Sequence, residues 1–182
     1  MLKNIPNALT IIRVLLIPVL IAGFYIDSKF SHYLVVCIFI FASITDYFDG
    51  FLARIWKVQS NFGKVLDPIA DKMLVAATLM MMVDRDIAPV LPSVVILCRE
   101  ILVSGMREYL AELKIKINIP VSYLGKVKTA TQMLAITILL IGEDISGIQY
   151  FDTIGEFVLW VSAGLTVITG YSYLSGGMKH FK

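Results

Sequence analysis

Six apolar stretches of 18 to 24 residues, separated by short charged or glycine-rich breaks, constrain this chain more than any other feature. They run Ala8 to Ile26, Tyr33 to Ala53, Leu66 to Val83, Pro89 to Leu110, Val121 to Ile141 and Phe151 to Leu174. A helix needs about 20 apolar residues to cross the roughly 30 Å hydrocarbon core of a bilayer. Backbone amides in lipid must be satisfied within the segment, which favours helices, and the short alternating segments of a closed barrel are missing. The composition agrees: 58% of the 182 residues are hydrophobic and 16% are charged, against about 25% charged in soluble domains. The expected fold is all-α: a polytopic integral membrane protein with six transmembrane helices, residues 1–182 forming a single membrane-embedded domain. Arg13 breaks the first stretch early and no small-residue cleavage site follows, so that stretch reads as a retained helix rather than a signal peptide.

Charge placement sets the expected orientation. With the N-terminus cytoplasmic, the inner connections hold Lys3, Arg54, Lys57, Lys64, Lys114, Lys116, Lys179 and Lys182, and the outer ones only Lys29 and Arg85. Positive residues concentrate on the cytoplasmic side, so both termini are expected to be cytoplasmic. No dense basic stripe appears, and nucleic acid is not an expected partner. The two cysteines, Cys37 and Cys98, lie in apolar runs and read as buried free thiols rather than a disulfide framework.

Four aspartates stand where apolar residues are expected: Asp46, Asp49, Asp67 and Asp71. Ionisable groups in membrane segments are costly and mark functional sites; near the inner ends they also read as a solvated helix end. Asp46, Asp49, Gly50 and Ala53 follow the i, i+3, i+4, i+7 spacing of one helix face, and Gly63, Asp67 and Asp71 are four apart. Pro68 fits best near a helix start, which leaves Gly63 doubtful as a helical residue. Four carboxylates in one pocket repel unless cations neutralise them, and an all-oxygen set without His or Cys favours magnesium, manganese or calcium over zinc. Gly50 and Ala53 leave the aspartate face without bulk, for a ligand or for close helix packing. Arg54 is a phosphate-binding cation or an inner-surface anchor.

The pattern Asp46-x-x-Asp49-Gly50-x-x-Ala53-Arg54, eight residues, then Gly63-x-x-x-Asp67-x-x-x-Asp71 resembles the motif of the CDP-alcohol phosphatidyltransferase family, with every motif position filled. The resemblance implies two divalent cations, magnesium or manganese: one held by Asp46, Asp49 and Asp67, the other by Asp46, Asp67 and Asp71. It makes Asp71 the general base on the acceptor hydroxyl. It gives Gly50, Ala53, Arg54, Ser60 and Gly63 to the CDP-lipid donor. The implied reaction is direct attack of a hydroxyl on the phosphorus carrying diacylglycerol, with CMP leaving. It also implies a homodimer in the bacterial cytoplasmic membrane, with the active site facing the cytoplasm.

The start, Asn4-Ile5-Pro6-Asn7-x-Leu9-Thr10-x-x-Arg13, and the stretches Arg99-Glu100, Arg107-Glu108 and Gly125-Lys126-x-Lys128-Thr129 are similar to family members whose acceptor is glycerol 3-phosphate. Asn7, Thr10 and Arg13 share one side of a helix; they border the donor nucleotide or form a capped helix start with one snorkelling Arg. Arg99, Arg107, Lys126 and Lys128 are candidates for the acceptor phosphate. Read singly, the last three also serve as a basic belt at the inner surface, and Arg99 as a structural pair with a nearby carboxylate. Serine, inositol phosphate or phosphatidylglycerol remain alternative acceptors. Outside this family, a membrane prenyltransferase and a cation transporter with intramembrane carboxylates also use such aspartates.

Overall fold

The computed structural model describes residues 5–56, 61–112 and 123–178, with the side chains of 10–45, 66, 68–110, 124–142 and 145–175. It is all-helical: α1 (Ile5–Phe24), α2 (Lys29–Trp56), α3 (Asn61–Asp84), α4 (Val90–Glu112), α5 (Tyr123–Ser146) and α6 (Phe151–Met178). A helix corresponds to each expected apolar stretch, and no strand occurs among the described residues.

Local chemistry sets several boundaries. The Ser28 hydroxyl accepts from the Ser31 amide at 3.1 Å, capping the start of α2. At the end of α3, Asp86 adopts φ 56°. There the Ile87 amide reaches the Met82 carbonyl at 2.8 Å and the Asp86 amide reaches that of Val83 at 3.2 Å. This left-handed closure satisfies carbonyls that a helix end leaves open. At its other end α3 begins at Asn61, so Pro68 lies in the helix interior and Gly63 is helical. The expectation that Pro68 marks the helix start is corrected. Proline forfeits one amide donor to the carbonyl four residues back, yet the helix continues for two turns before it. The continuous helix puts Gly63, Asp67 and Asp71 at i, i+4, i+8 on one face.

In α5 the helix breaks at Gly142, with φ 61° and ψ −179°. Only glycine adopts this conformation without strain. The break frees carbonyls, and His32 of α2 takes one: its Nε2 donates to the Leu140 carbonyl at 2.7 Å.

α1 packs against α2 and α3, α2 against α5, and α6 against α4 and, most extensively, α5. The buried centre includes Leu20, Phe39, Leu74, Leu79, Met82, Ile136, Leu139 and Leu159. Polarity is partly inverted. Arg13 is 1% exposed and Lys128 5%, while Phe157 is 69% and Tyr171 73% exposed. Cys37 and Cys98 are exposed too, which corrects their expected burial. An apolar run marks a core face in a water-soluble helix, but in a lipid-embedded one it also covers the outward face. Leu124–Gly142 and Phe151–Ser175 are long and apolar enough to cross a membrane, and Thr10–Phe24 and Lys29–Thr45 are shorter apolar helices.

The α5–α6 seam is close. A Cβ on Gly155 would lie 2.7 Å from Leu139 Cγ and 3.1 Å from Ile138 Cγ2, whereas one on Gly164 meets nothing within 4 Å. Gly155→Ala is expected to destabilise by about 1–3 kcal/mol, the usual cost of overpacking, and Gly164→Ala not at all. Thermal unfolding of both variants in detergent checks this; equal midpoints would refute the packing.

Candidate active site

A cavity of about 230 Å3 opens between α3, α4 and α5, lined by Asp71, Lys72, Met73, Val75, Ala76, Leu97, Glu100, Ile101, Lys128, Thr129, Gln132 and Met133. Helical spacing explains the set. Lys128 and Gln132 are one turn apart on α5, and Glu100 lies one turn from Ser104 on α4, where Lys72 of α3 donates to the Ser104 hydroxyl. The Lys72–Ser104 bond and the cavity itself thus join α3 to α4.

Glu100 is the electrostatic centre. Its Oε1 accepts from Lys128 Nζ and from Arg99 Nη1 at 3.1 Å. Arg99 spans the gap to α6, where its Nη2 donates to Thr169 Oγ1 at 3.2 Å. Side-chain exposure of Lys128 and Glu100 is 6% and 20%, so the ion pair is largely shielded from solvent. Lys128 also lies within electrostatic reach of Asp71. The cavity therefore holds two carboxylates, Asp71 and Glu100, facing two ammonium groups, Lys72 and Lys128, with the Arg99 guanidinium behind them.

Of the residues expected from sequence, Asp71 and Lys128 meet in this cavity. Arg99 stands behind its wall. Arg107 lies elsewhere on α4, its guanidinium 5.1 Å from the centroid of the Tyr173 ring. Lys126 is exposed and is not among the lining residues. Thr10 and Arg13 are both 1% exposed on α1. Asn7 belongs to α1, Asp46, Asp49, Gly50, Ala53 and Arg54 to α2, and Gly63 and Asp67 to α3, but their side chains lie outside the described residues. Ser60 lies outside them altogether. Among the described residues no group of three metal-ligating side chains forms; of the four aspartates, Asp71 alone has a described side chain.

Sequence reasoning passed over Lys72, Gln132 and Thr169, and gave Glu100 no role. Lys72 carried a visible signal, a second charge beside Asp71 in an apolar run. The pairing of Glu100 with Lys128 joins residues 28 apart in the chain, and that of Arg99 with Thr169 residues 70 apart; no local spacing reveals either.

Removing one partner of a shielded ion pair leaves the others uncompensated. Glu100→Gln is expected to destabilise the fold by on the order of 3 kcal/mol, and Lys128→Met added to it to recover part of that loss. Unfolding midpoints of the single and double variants measure this, and a double variant weaker than the single by the full Lys128→Met effect would show that the pair is not formed.

Residues 3–168 match the model of the CDP-alcohol phosphatidyltransferase family. The chain is 49% identical to a protein of Rickettsia felis called CDP-diacylglycerol--glycerol-3-phosphate 3-phosphatidyltransferase, over 98% of each chain. A Rickettsia typhi protein of the same name is 48% identical over 99% of this chain and all of its own. One from Pectobacterium atrosepticum is 40% identical over 94% of this chain and 93% of its own. The apolar helices and these relatives mark a membrane enzyme. By the extent of the family match and the near full-length identity to its relatives, this chain belongs to the CDP-alcohol phosphatidyltransferase family.

Proposed function

We propose that this protein transfers the phosphatidyl group of CDP-diacylglycerol to a hydroxyl of glycerol 3-phosphate, forming phosphatidylglycerophosphate and releasing CMP. The observation that carries this reading is the 40–49% identity over nearly the whole chain to relatives named for that reaction. The cavity chemistry supports it: a carboxylate at Asp71 faces an ammonium at Lys128 in a space of about 230 Å3. That is below the ~300–1,000 Å3 of drug-sized ligand pockets, so it suits a small acceptor, while the acyl chains of the donor stay in lipid.

The acceptor hydroxyl gives its proton to Asp71 as its oxygen attacks the phosphorus bearing diacylglycerol. The bond to CMP breaks and CMP leaves with the electron pair. A carboxylate in reach of the hydroxyl contributes as a general base. Lys128, with Arg99 behind it, holds the acceptor phosphate by charge-assisted hydrogen bonds; Arg107 and Lys126 attract it from the cytoplasmic surface. Asn7, Thr10, Arg13, Gly50, Ala53, Arg54, Ser60 and Gly63 bind the CDP moiety. Asp46, Asp49, Asp67 and Asp71 hold two divalent cations, magnesium or manganese. The all-carboxylate donor set fits such hard ions, and Asp71 is half-buried at the cavity wall. When bound, the ions neutralise the diphosphate charge that develops as CMP leaves.

All six helices cross the bacterial cytoplasmic membrane, with both termini and the active site on the cytoplasmic side, and the enzyme works as a homodimer. The 28 residues of α2 extend about 42 Å at 1.5 Å per residue. That is more than the roughly 30 Å of a bilayer's hydrocarbon core, so the helix is long enough to carry its aspartate-bearing end towards the inner surface. The cation-transporter reading falls away with family membership.

Purified protein with CDP-diacylglycerol and magnesium is expected to release CMP with glycerol 3-phosphate, and not with serine, inositol phosphate or phosphatidylglycerol. Release with another acceptor would keep the transferase and overturn this acceptor. Asp71→Asn is expected to lower kcat at least about 100-fold, with CDP-lipid binding still measurable by calorimetry. A chelator is expected to stop turnover, and magnesium or manganese to restore it; full activity in the chelator would overturn the metal assignment.

A further inference from the structure

We infer that Thr169 and Gly170 of α6 are positioning residues for the acceptor side of the cavity, acting through Arg99 on the Glu100–Lys128 pair; this rests on the reading of the cavity given above. α6 contributes none of the described residues that line the cavity. It nevertheless holds the side chain on which the cavity's charge arrangement depends.

The contact has two parts. Thr169 Oγ1 donates its own hydrogen back along the helix, to the Leu165 carbonyl at 2.8 Å, with the Thr166 carbonyl at 3.1 Å. Its lone pairs are therefore left to accept from Arg99 Nη2 at 3.2 Å. Gly170 makes room for the stem of the same arginine. A Cβ there would lie 2.9 Å from Arg99 Cγ and 3.3 Å from Nε. One residue supplies an acceptor and the next an absence of bulk, and both fix one guanidinium.

The consequence reaches the cavity through a single oxygen. Glu100 Oε1 accepts from both Arg99 and Lys128. A guanidinium that loses its partner on α6 keeps a buried donor to satisfy. Glu100 is the nearest anion, so Arg99 would turn further onto it and displace Lys128. With Thr169 in place, Arg99 takes one bond from Glu100 and Lys128 stays at the wall. The polar residues Thr166 and Ser162, fully buried one and two turns earlier on the same helix, continue this face of α6.

The test is kinetic. Thr169→Val keeps the shape and removes the acceptor, Thr169→Ser keeps the oxygen, and Gly170→Ala adds the Cβ. In the purified full chain, Thr169→Val and Gly170→Ala are expected to raise KM for glycerol 3-phosphate about five- to tenfold, the scale of one ordinary net hydrogen bond. KM for CDP-diacylglycerol should stay within about twofold, and Thr169→Ser should restore the acceptor KM. Equal changes in both KM values, no change in Thr169→Val, or a Ser variant as poor as the Val variant would overturn the proposal. If the parent protein uses a different acceptor, the same split is read with that acceptor, so the acceptor's identity and the role of α6 fail separately. Should no acceptor turn over, the unfolding midpoints of Thr169→Val, Glu100→Gln and the double variant decide. Losses smaller in combination than in sum support coupling through Arg99, and strict additivity overturns it.

Discussion

One carboxylate oxygen, Glu100 Oε1, joins three helices: it accepts from its neighbour Arg99 on α4, whose other end is fixed to α6, and from Lys128 on α5. Between apolar helices an unpaired cation is costly, and a pair of cations more so. The packing of α4, α5 and α6 therefore involves this anion as well as the fit of Leu139 against Gly155. Glu100 and Lys128 also line the cavity, so the arrangement that joins the helices fixes the charge at its wall too.

That coupling gives the inverted polarity of the molecule a purpose. Several charged residues of the described helices are drawn inward: Arg13 and Lys128 are buried, Arg99 is nearly so, and Asp71 and Glu100 face the cavity. The apolar side chains outside need only be compatible with lipid, which offers no drive for helix association of its own. Polar contacts and close approach, such as Lys72 with Ser104 and Gly170 with Arg99, then decide which helix meets which.

The features legible in the sequence were those that lipid or helical periodicity writes locally. Six helices follow from six apolar runs, because a membrane leaves no other backbone solution for such a run. The aspartate pattern was readable because its spacing matches a helix face, and α2 and α3 are continuous across it. The start of α3 escapes the local rule about Pro68, because the surrounding helix carries the proline in its interior. The exposure of the cysteines is not legible locally, because apolar neighbours do not separate a core from a lipid face. Glu100, Lys72 and Thr169 act through partners on other helices, and only tertiary structure shows them. Lys126 lies apart from Lys128 because two residues along a helix turn a side chain to another face, and Arg107, on α4, lies over the Tyr173 ring instead.

The anchor at the other end of α5 carries its own evolutionary consequence. The hydrogen bond from His32 grips the main chain at Leu140, beside the break at Gly142. Since every residue type offers the same carbonyl, no substitution at position 140 can remove or improve the acceptor. Drift at position 140 is therefore free to alter the side chain beside the anchor without touching the hydrogen bond itself, which depends on His32 and on the break at Gly142.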